Sequence, residues 1–214
     1  MLSRTFEICF LVDLCITMEK WIEKFKKIAI STIQNIKKRN MWMTIRVAFI
    51  GYRNEYHNWS YDVVDFTENL QMLQEKLLVL NASGGKGCKC LNTVYHHAYT
   101  LDWSSNNKLI IHIGDSPNHG LKYHELGYPD IFPSKHYSQF PLEMHIRKMA
   151  EEGMYLCIFK LTNDTDKTFD IIESSYMKHA THLDRFSIND LVMYPESFDN
   201  FIKHSITELF YRAL

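Results

Sequence analysis

Hydrophobic and polar positions along the chain alternate between two periods. Phe6 to Val12 is an apolar, β-prone run that stops at Asp13. From Met18 onward apolar residues recur at 18, 21, 22, 25, 28, 29, 33 and 36, the spacing of one helical face, and Glu19, Lys20, Glu23 and Lys24 fill the wet side. Thr17 stands where a helix N-cap would. IRVAFIGY (45–52) then reads as a second buried strand and VVDF (63–66) as a short edge strand. Helical patterns follow over 68–79 and from Leu91 to Trp103, separated by the Gly-rich loop SGGKG (83–87). KLIIHIGD (108–115) is the plainest strand in the chain and runs into a loop rich in Pro, Gly, His and Tyr over 116–140. A helix from Leu142 ended by Gly153, a strand MYLCIFKL (154–161) and helices over 165–178 and 196–213 complete the pattern.

Buried strands that alternate with helices predict an α/β domain whose sheet is mostly parallel and covered on both faces. With 214 residues, no internal repeat and no low-complexity linker, the economical expectation is one domain over 1–214.

The formal net charge of −1 gives no field that would gather nucleic acid or an anionic membrane surface. Lys37-Lys38-Arg39 reads as favourable charge at a helix C-terminus. The five cysteines are odd in number and three lie in or at the end of apolar runs, which suits reduced, buried thiols and a cytoplasmic protein. MLSRTFEICF is too short and too interrupted for a secretory signal, and no apolar run approaches about 18 residues.

In sheets of this kind ligands bind beyond the carboxyl ends of the strands, where the loops converge. Three loops there carry one kind of chemistry: Asp13-x-Cys15-x-Thr17, Ser83-Gly84-Gly85 and Gly114-Asp115. Two carboxylates and two hydroxyls form a hard oxygen set, suited to Mg²⁺, Mn²⁺ or Ca²⁺ rather than zinc. So few charges would leave a coordination position open to a carboxylate from outside, a way to bind a partner without doing chemistry.

The order of strand, D-x-[ST]-x-S-M loop, helix, Gly-rich Ser/Thr loop and strand with a terminal Asp resembles a von Willebrand factor A (vWA) domain with its metal-ion-dependent adhesion site. VDLCITMEKWIEKFKK, VAFIGYRN, VVDFT, ASGGKG and above all HIGDSPNHG carry the likeness, which runs from about residue 6 to about 212. It is closer to the A domains found with alpha-type protein kinases. The resemblance implies a Rossmann-like, three-layer fold with one short antiparallel edge strand, and a non-enzymatic protein-binding module. It implies Asp13, Thr17, Ser83 and Asp115 as the residues toward Mg²⁺, and a protein partner, engaged through an acidic side chain. Cys15 stands where the family has Ser or Thr, and a neutral thiol is a poor ligand for a hard cation, so the site is degenerate. Lys86 and Lys89 stand where relatives often have acidic residues, and would repel a divalent ion if they pointed inward.

Two further readings stay open. Asp13-x-Cys15-x-Thr17 with Gly114-Asp115 also resembles the haloacid-dehalogenase-like phosphatases, with Asp13 as nucleophile, although Cys15 replaces the general acid and His119 the final acid. Cys88 and Cys90 with His96 and His97 could be sketched as a zinc site, although the spacing matches no compact zinc motif well. The loop over 116–140 is long for a compact domain and borders Asp115, so His119, Tyr123 and His124 are expected as partner-contact residues.

Overall fold

The computed structural model describes residues 4–54, 61–133 and 141–212. Six strands form one sheet: β1 (Arg4–Asp13), β2 (Met43–Tyr52), β3 (Tyr61–Thr67), β4 (Asn107–Gly114), β5 (Tyr155–Lys160) and β6 (Phe186–Asp190). Their order is β3-β2-β1-β4-β5-β6. Only β3 at one edge is antiparallel to its neighbour. The helices are α1 (Glu19–Arg39), α2 (Leu70–Leu78), α3 (Leu91–Thr100), α4 (Leu142–Glu151), α5 (Asp166–Met177) and α6 (Phe198–Arg212). This is the mostly parallel three-layer α/β architecture expected from the sequence, with the short edge strand antiparallel.

Side-chain parity divides the core. Phe6, Ile8, Phe10 and Val12 of β1 pack with α1, α2 and α6, whereas Cys9 and Leu11 pack with α3, α4 and α5. Asp13 is the next odd position, so β1 ends with a carboxylate on the α3 side. Tyr52 and His112 reach the same side from the two neighbouring strands, and their side chains meet at 2.6 Å. Tyr95 of α3 contacts the other imidazole nitrogen at 2.9 Å, and burial pushes His112 down to about 3. The imidazole is therefore a neutral core group at physiological pH.

Gly114 is required by this arrangement. A Cβ there would lie 2.5 Å from the Tyr52 hydroxyl, which His112 pins in place. We expect Gly114→Ala to cost about 1–3 kcal/mol in urea unfolding. Tyr52→Phe should offset part of that cost in a double-mutant cycle, and strict additivity would show that the clash is not the cause.

Two differences from the sequence reading have clear causes. β6 was not expected, because FSIND carries only two apolar residues and is specified by pairing with β5 rather than by its own pattern. α3 stops at Thr100, and Trp103 folds back so that its indole N–H donates to Ala98 O at 2.8 Å, satisfying a carbonyl at the helix end. Among the described residues no helix is long and apolar enough to cross a membrane.

Candidate functional site

β1 and β4 are neighbours in register, Val12 facing Ile113, so their carboxyl ends bring Asp13 and Asp115 together. Asp13 is fully buried; its Oδ1 accepts the Cys15 backbone N–H at 2.9 Å, and its Oδ2 accepts no hydrogen bond among the described residues. The Cys15 thiol lies 2.9 Å from Thr17 Oγ1 and 3.4 Å from Asp115 Oδ1. The Thr17 hydroxyl donates to Asp115 Oδ2, and the Ser116 hydroxyl donates to Asp115 Oδ1 at 2.8 Å. One ligating atom each from Asp13, Cys15 and Asp115 fall within 4.8 Å of one another. Asp13 and Cys15 are buried, Asp115 is half-buried and Thr17 exposed, so the cluster opens on one side.

Thr17 is not the cap of α1. It sits in a 3-10 turn (Ile16–Met18), Met18 takes the cap position, and the Thr17 hydroxyl turns to Asp115 instead. Ser83 also departs from its expected role. The Gly-rich loop does dock on the first loop, Ser83 N donating to Leu14 O at 2.8 Å and Ile16 N to Gly84 O at 3.3 Å. The Ser83 hydroxyl, however, accepts Arg53 Nε at 2.8 Å, and that guanidinium also binds Asp62 and Asn81 O. Arg53 reaches the hydroxyl from the residue after β2, a contact invisible in a linear motif.

The two lysines of the second loop diverge. Lys86 is exposed and pairs with Asp164 at 3.0 Å. Lys89 is fully buried, its ammonium donating to Gly87 O at 3.2 Å and Gly85 O at 3.3 Å and lying 3.9 Å from Asp13 Oδ2. Burial pushes Asp13 up to about 6, with Lys89 opposing and Asp115 adding to the rise. Burial and the flanking carboxylates drive the Cys15 thiol upward, so it is a neutral group.

Lys89 is held there because the second loop zips onto the loop after β4. Lys89 N donates to Pro117 O at 2.9 Å, and His119 N donates to Lys89 O at 3.1 Å. Asn118, fully buried between them, accepts Leu91 N at the start of α3 through Oδ1, and its Nδ2 donates to Asn92 Oδ1. Sequence reasoning weighed an inward charge from Lys86 and Lys89 together without telling the two apart, and it missed Asn118 as the organiser.

The contact residues expected on this loop are placed differently. His119, Tyr123 and His124 are buried. His119 and His124 bind Asp130, and Tyr123 donates to Glu143 Oε2 at 2.9 Å, so they hold the loop against the domain instead of facing a partner. Among the described residues of this loop the exposed large apolar side chains are Leu121, Leu126 and Ile131, beside the exposed charges Lys122 and Glu125, and Ile16 is exposed on the first loop. The stretch 134–140, the rest of the expected loop, lies outside the described residues.

The donor set fits a hard cation in part. Asp13 Oδ2 is a buried carboxylate oxygen without a donor, which a cation would satisfy, and Asp115 and Thr17 add oxygens beside it. Cys15 is the wrong chemistry, and Lys89 already brings a positive charge to Asp13.

No protein-family model matches the chain, and no curated protein matches it. Solved structures do resemble it. The pilus adhesin SpaC from Lactobacillus rhamnosus GG, in an open conformation, superposes with a TM-score of 0.66 at 12% identity over 98% of this chain, which spans 30% of the adhesin's length. The vWF domain of the type V pili tip protein Mfa5 from Porphyromonas gingivalis gives 0.54 at 15% identity over 98% of this chain and 97% of that one. The three N-terminal domains of Mfa5 give 0.54 at 14% identity, over 92% of this chain and 49% of that one. At such identities the likeness is one of fold: this chain has a von Willebrand factor A-like fold.

Proposed function

We propose that this chain is a non-enzymatic protein-docking domain whose partner engages the open side of the Asp13–Cys15–Thr17–Asp115 cluster. The observation that carries the reading is the position of that cluster. It lies at the carboxyl end of a von Willebrand factor A-like sheet, on loops that also display exposed Ile16, Leu121, Leu126 and Ile131. Exposed apolar side chains beside an open polar site suit protein contact better than a small-molecule pocket. Asp13, Thr17 and Asp115 would hold Mg²⁺, which would offer a contact to an acidic side chain of the partner. Ser83 is left out of this set because Arg53 occupies its hydroxyl. Binding of the ion is weak, because Lys89 competes with it for Asp13 and Cys15 contributes no oxygen. The likeness to A domains that accompany alpha-type protein kinases, together with five buried cysteines that form no disulfide, favours a cytoplasmic partner.

A photo-crosslinking residue at position 16 tests the docking surface. We expect protein adducts that disappear in folded Asp115→Ala; adducts unchanged by that substitution would remove the site from the interaction. Turnover of a generic phosphate ester that vanishes in Asp13→Asn would replace the whole reading with phosphoryl transfer. For the metal, a Kd of about 1 mM means that 10 mM Mg²⁺ adds about 1.4 kcal/mol to stability. Thermal melts should show this small rise, reversed by EDTA and missing in Asp115→Ala.

A further inference from the structure

Cys88 and Lys89 are consecutive but serve opposite sides of the second loop. While Lys89 turns to Asp13, Cys88 turns to a separate cluster with His124 and Asp130, in which one ligating atom from each residue lies within 4.8 Å of the others. The three come from two loops that the Lys89–Asn118 bridge fastens together. None of the spacings between 88, 124 and 130 resembles a compact metal motif, so the cluster is a product of the tertiary fold.

Three features of this cluster point to a ligand. Cys88 is 1% exposed, and its sulfur lies within 4.8 Å of a carboxylate oxygen of Asp130 and a ring nitrogen of His124. His124 has an acceptor at each ring nitrogen: Nδ1 is 3.0 Å from Glu125 O, and Nε2 is 3.1 Å from Asp130 Oδ2. A neutral imidazole has one N–H and can satisfy only one of the two. If Nδ1–H donates to the carbonyl, the Nε2 lone pair points at a carboxylate oxygen, and a cation between them resolves the opposition. Asp130 is itself oriented by backbone donors, Gly120 N to Oδ2 and Phe132 N to Oδ1, each at 2.8 Å. A histidine fixed through its second nitrogen by a carbonyl, and a carboxylate fixed by N–H groups, are the outer contacts that metal ligands receive in proteins.

We propose that Cys88, His124 and Asp130 bind a divalent ion of the zinc class. Sulfur, imidazole nitrogen and one carboxylate oxygen suit Zn²⁺ or Co²⁺ and not Mg²⁺, so the site differs in chemistry from the Asp13–Asp115 cluster and does not depend on its reading. Binding releases the Cys88 proton to solvent, and the metal–thiolate bond replaces it. Three protein ligands leave a fourth position for water. The ion would tie the Gly-rich loop to the segment that carries the exposed Leu121, Leu126 and Ile131, fixing the rim of the docking face.

The test is cobalt titration of the full chain after chelator treatment. The expected result is one Co²⁺ per chain with a thiolate-to-cobalt charge-transfer band, lost in Cys88→Ser, and binding at least about 10-fold weaker in His124→Gln. Zinc added afterwards should displace the band. Where Cys88→Ser does not fold, the wild-type chain still decides: in mild urea, where the buried thiol opens to reagent, bound metal must slow alkylation of Cys88, read by peptide mass. Absence of cobalt uptake by the wild-type chain overturns the proposal and leaves His124 and Asp130 as a hydrogen-bonded clamp within the loop. A band that survives in Cys88→Ser, or is lost in Cys15→Ser alone, overturns it as well.

Discussion

Lys89→Met lowers the unfolding free energy by about 3 kcal/mol at pH 8 in buffer containing EDTA, because it leaves the buried Asp13 carboxylate without its nearest cation. The cost depends on pH with a definite sign. Asp13 has its folded value raised from 3.8 to about 6, so its contribution to stability is fully present below 3.8 and is lost as pH rises through about 6. Removing Lys89 raises the folded value further and extends that loss to higher pH. The variant and the wild-type chain should therefore converge near pH 4 and diverge above about 6. Asp13→Asn on the Lys89→Met background removes the stranded charge while keeping the acceptor for Cys15 N, and should recover most of the deficit. Urea unfolding across that pH range is the measurement. A flat difference between variant and wild type would mean that Lys89 matters for loop packing alone. The same double variant bears on docking, since a site relieved of its internal cation should bind Mg²⁺ no better once Asp13 is also neutral.

Glu7→Gln is the second large effect, at the other end of the sheet. Glu7 is fully buried in the middle of an apolar strand, and both carboxylate oxygens are used. It pairs with Arg46 at 2.5 Å, accepts the Ser104 hydroxyl at 2.8 Å, and takes the backbone N–H groups of Ser104 and Ser105 at 3.0 and 2.9 Å. Every one of these neighbours is a donor, so an amide NH₂ must face at least one of them and Arg46 loses its counter-charge. We expect about 3 kcal/mol of destabilisation with an unchanged dependence on denaturant concentration. Added salt should alter the difference little, since the carboxylate is out of solvent. A change under 1 kcal/mol would mean that the loop before β4 rearranges to accept the amide. Crosslinking from position 16 should persist in this variant, because Glu7 serves the amino end of the sheet.

Much of the architecture was legible because it follows from local periodicity. β1, β2, β4 and β5 are apolar runs that must be buried on both faces, and α1 shows its seam at 21, 22, 25, 29 and 33. The antiparallel β3 at the edge was expected from its short run and the family likeness. β6 was hidden, because an edge strand buries one face and takes its conformation from the neighbour's hydrogen bonds. Of the candidate site, Asp13, Cys15 and Asp115 were placed together by a general rule, that strand ends in a parallel sheet share one edge. The direction of side chains was another matter. Thr17 reads as a cap and Ser83 as a ligand until Asp115 and Arg53 are seen to claim their hydroxyls. His119, Tyr123 and His124 read as a contact surface because aromatic loops usually are, whereas Asp130 draws both histidines inward and Glu143 anchors Tyr123.

The sequence by itself determined the alternation of strands and helices, the side of the sheet on which Asp13 emerges, and the chemistry available at the strand ends. These depend on spacing along the chain, and periods of 2 and 3.6 fix which residues share a face. Only the tertiary structure decided that Lys89 would lie 3.9 Å from Asp13 while Cys88 meets His124 and Asp130. Those contacts depend on where one loop zips onto another. A buried charge or thiol takes its partner from whatever the fold brings within a few ångströms, and no local pattern encodes that distance.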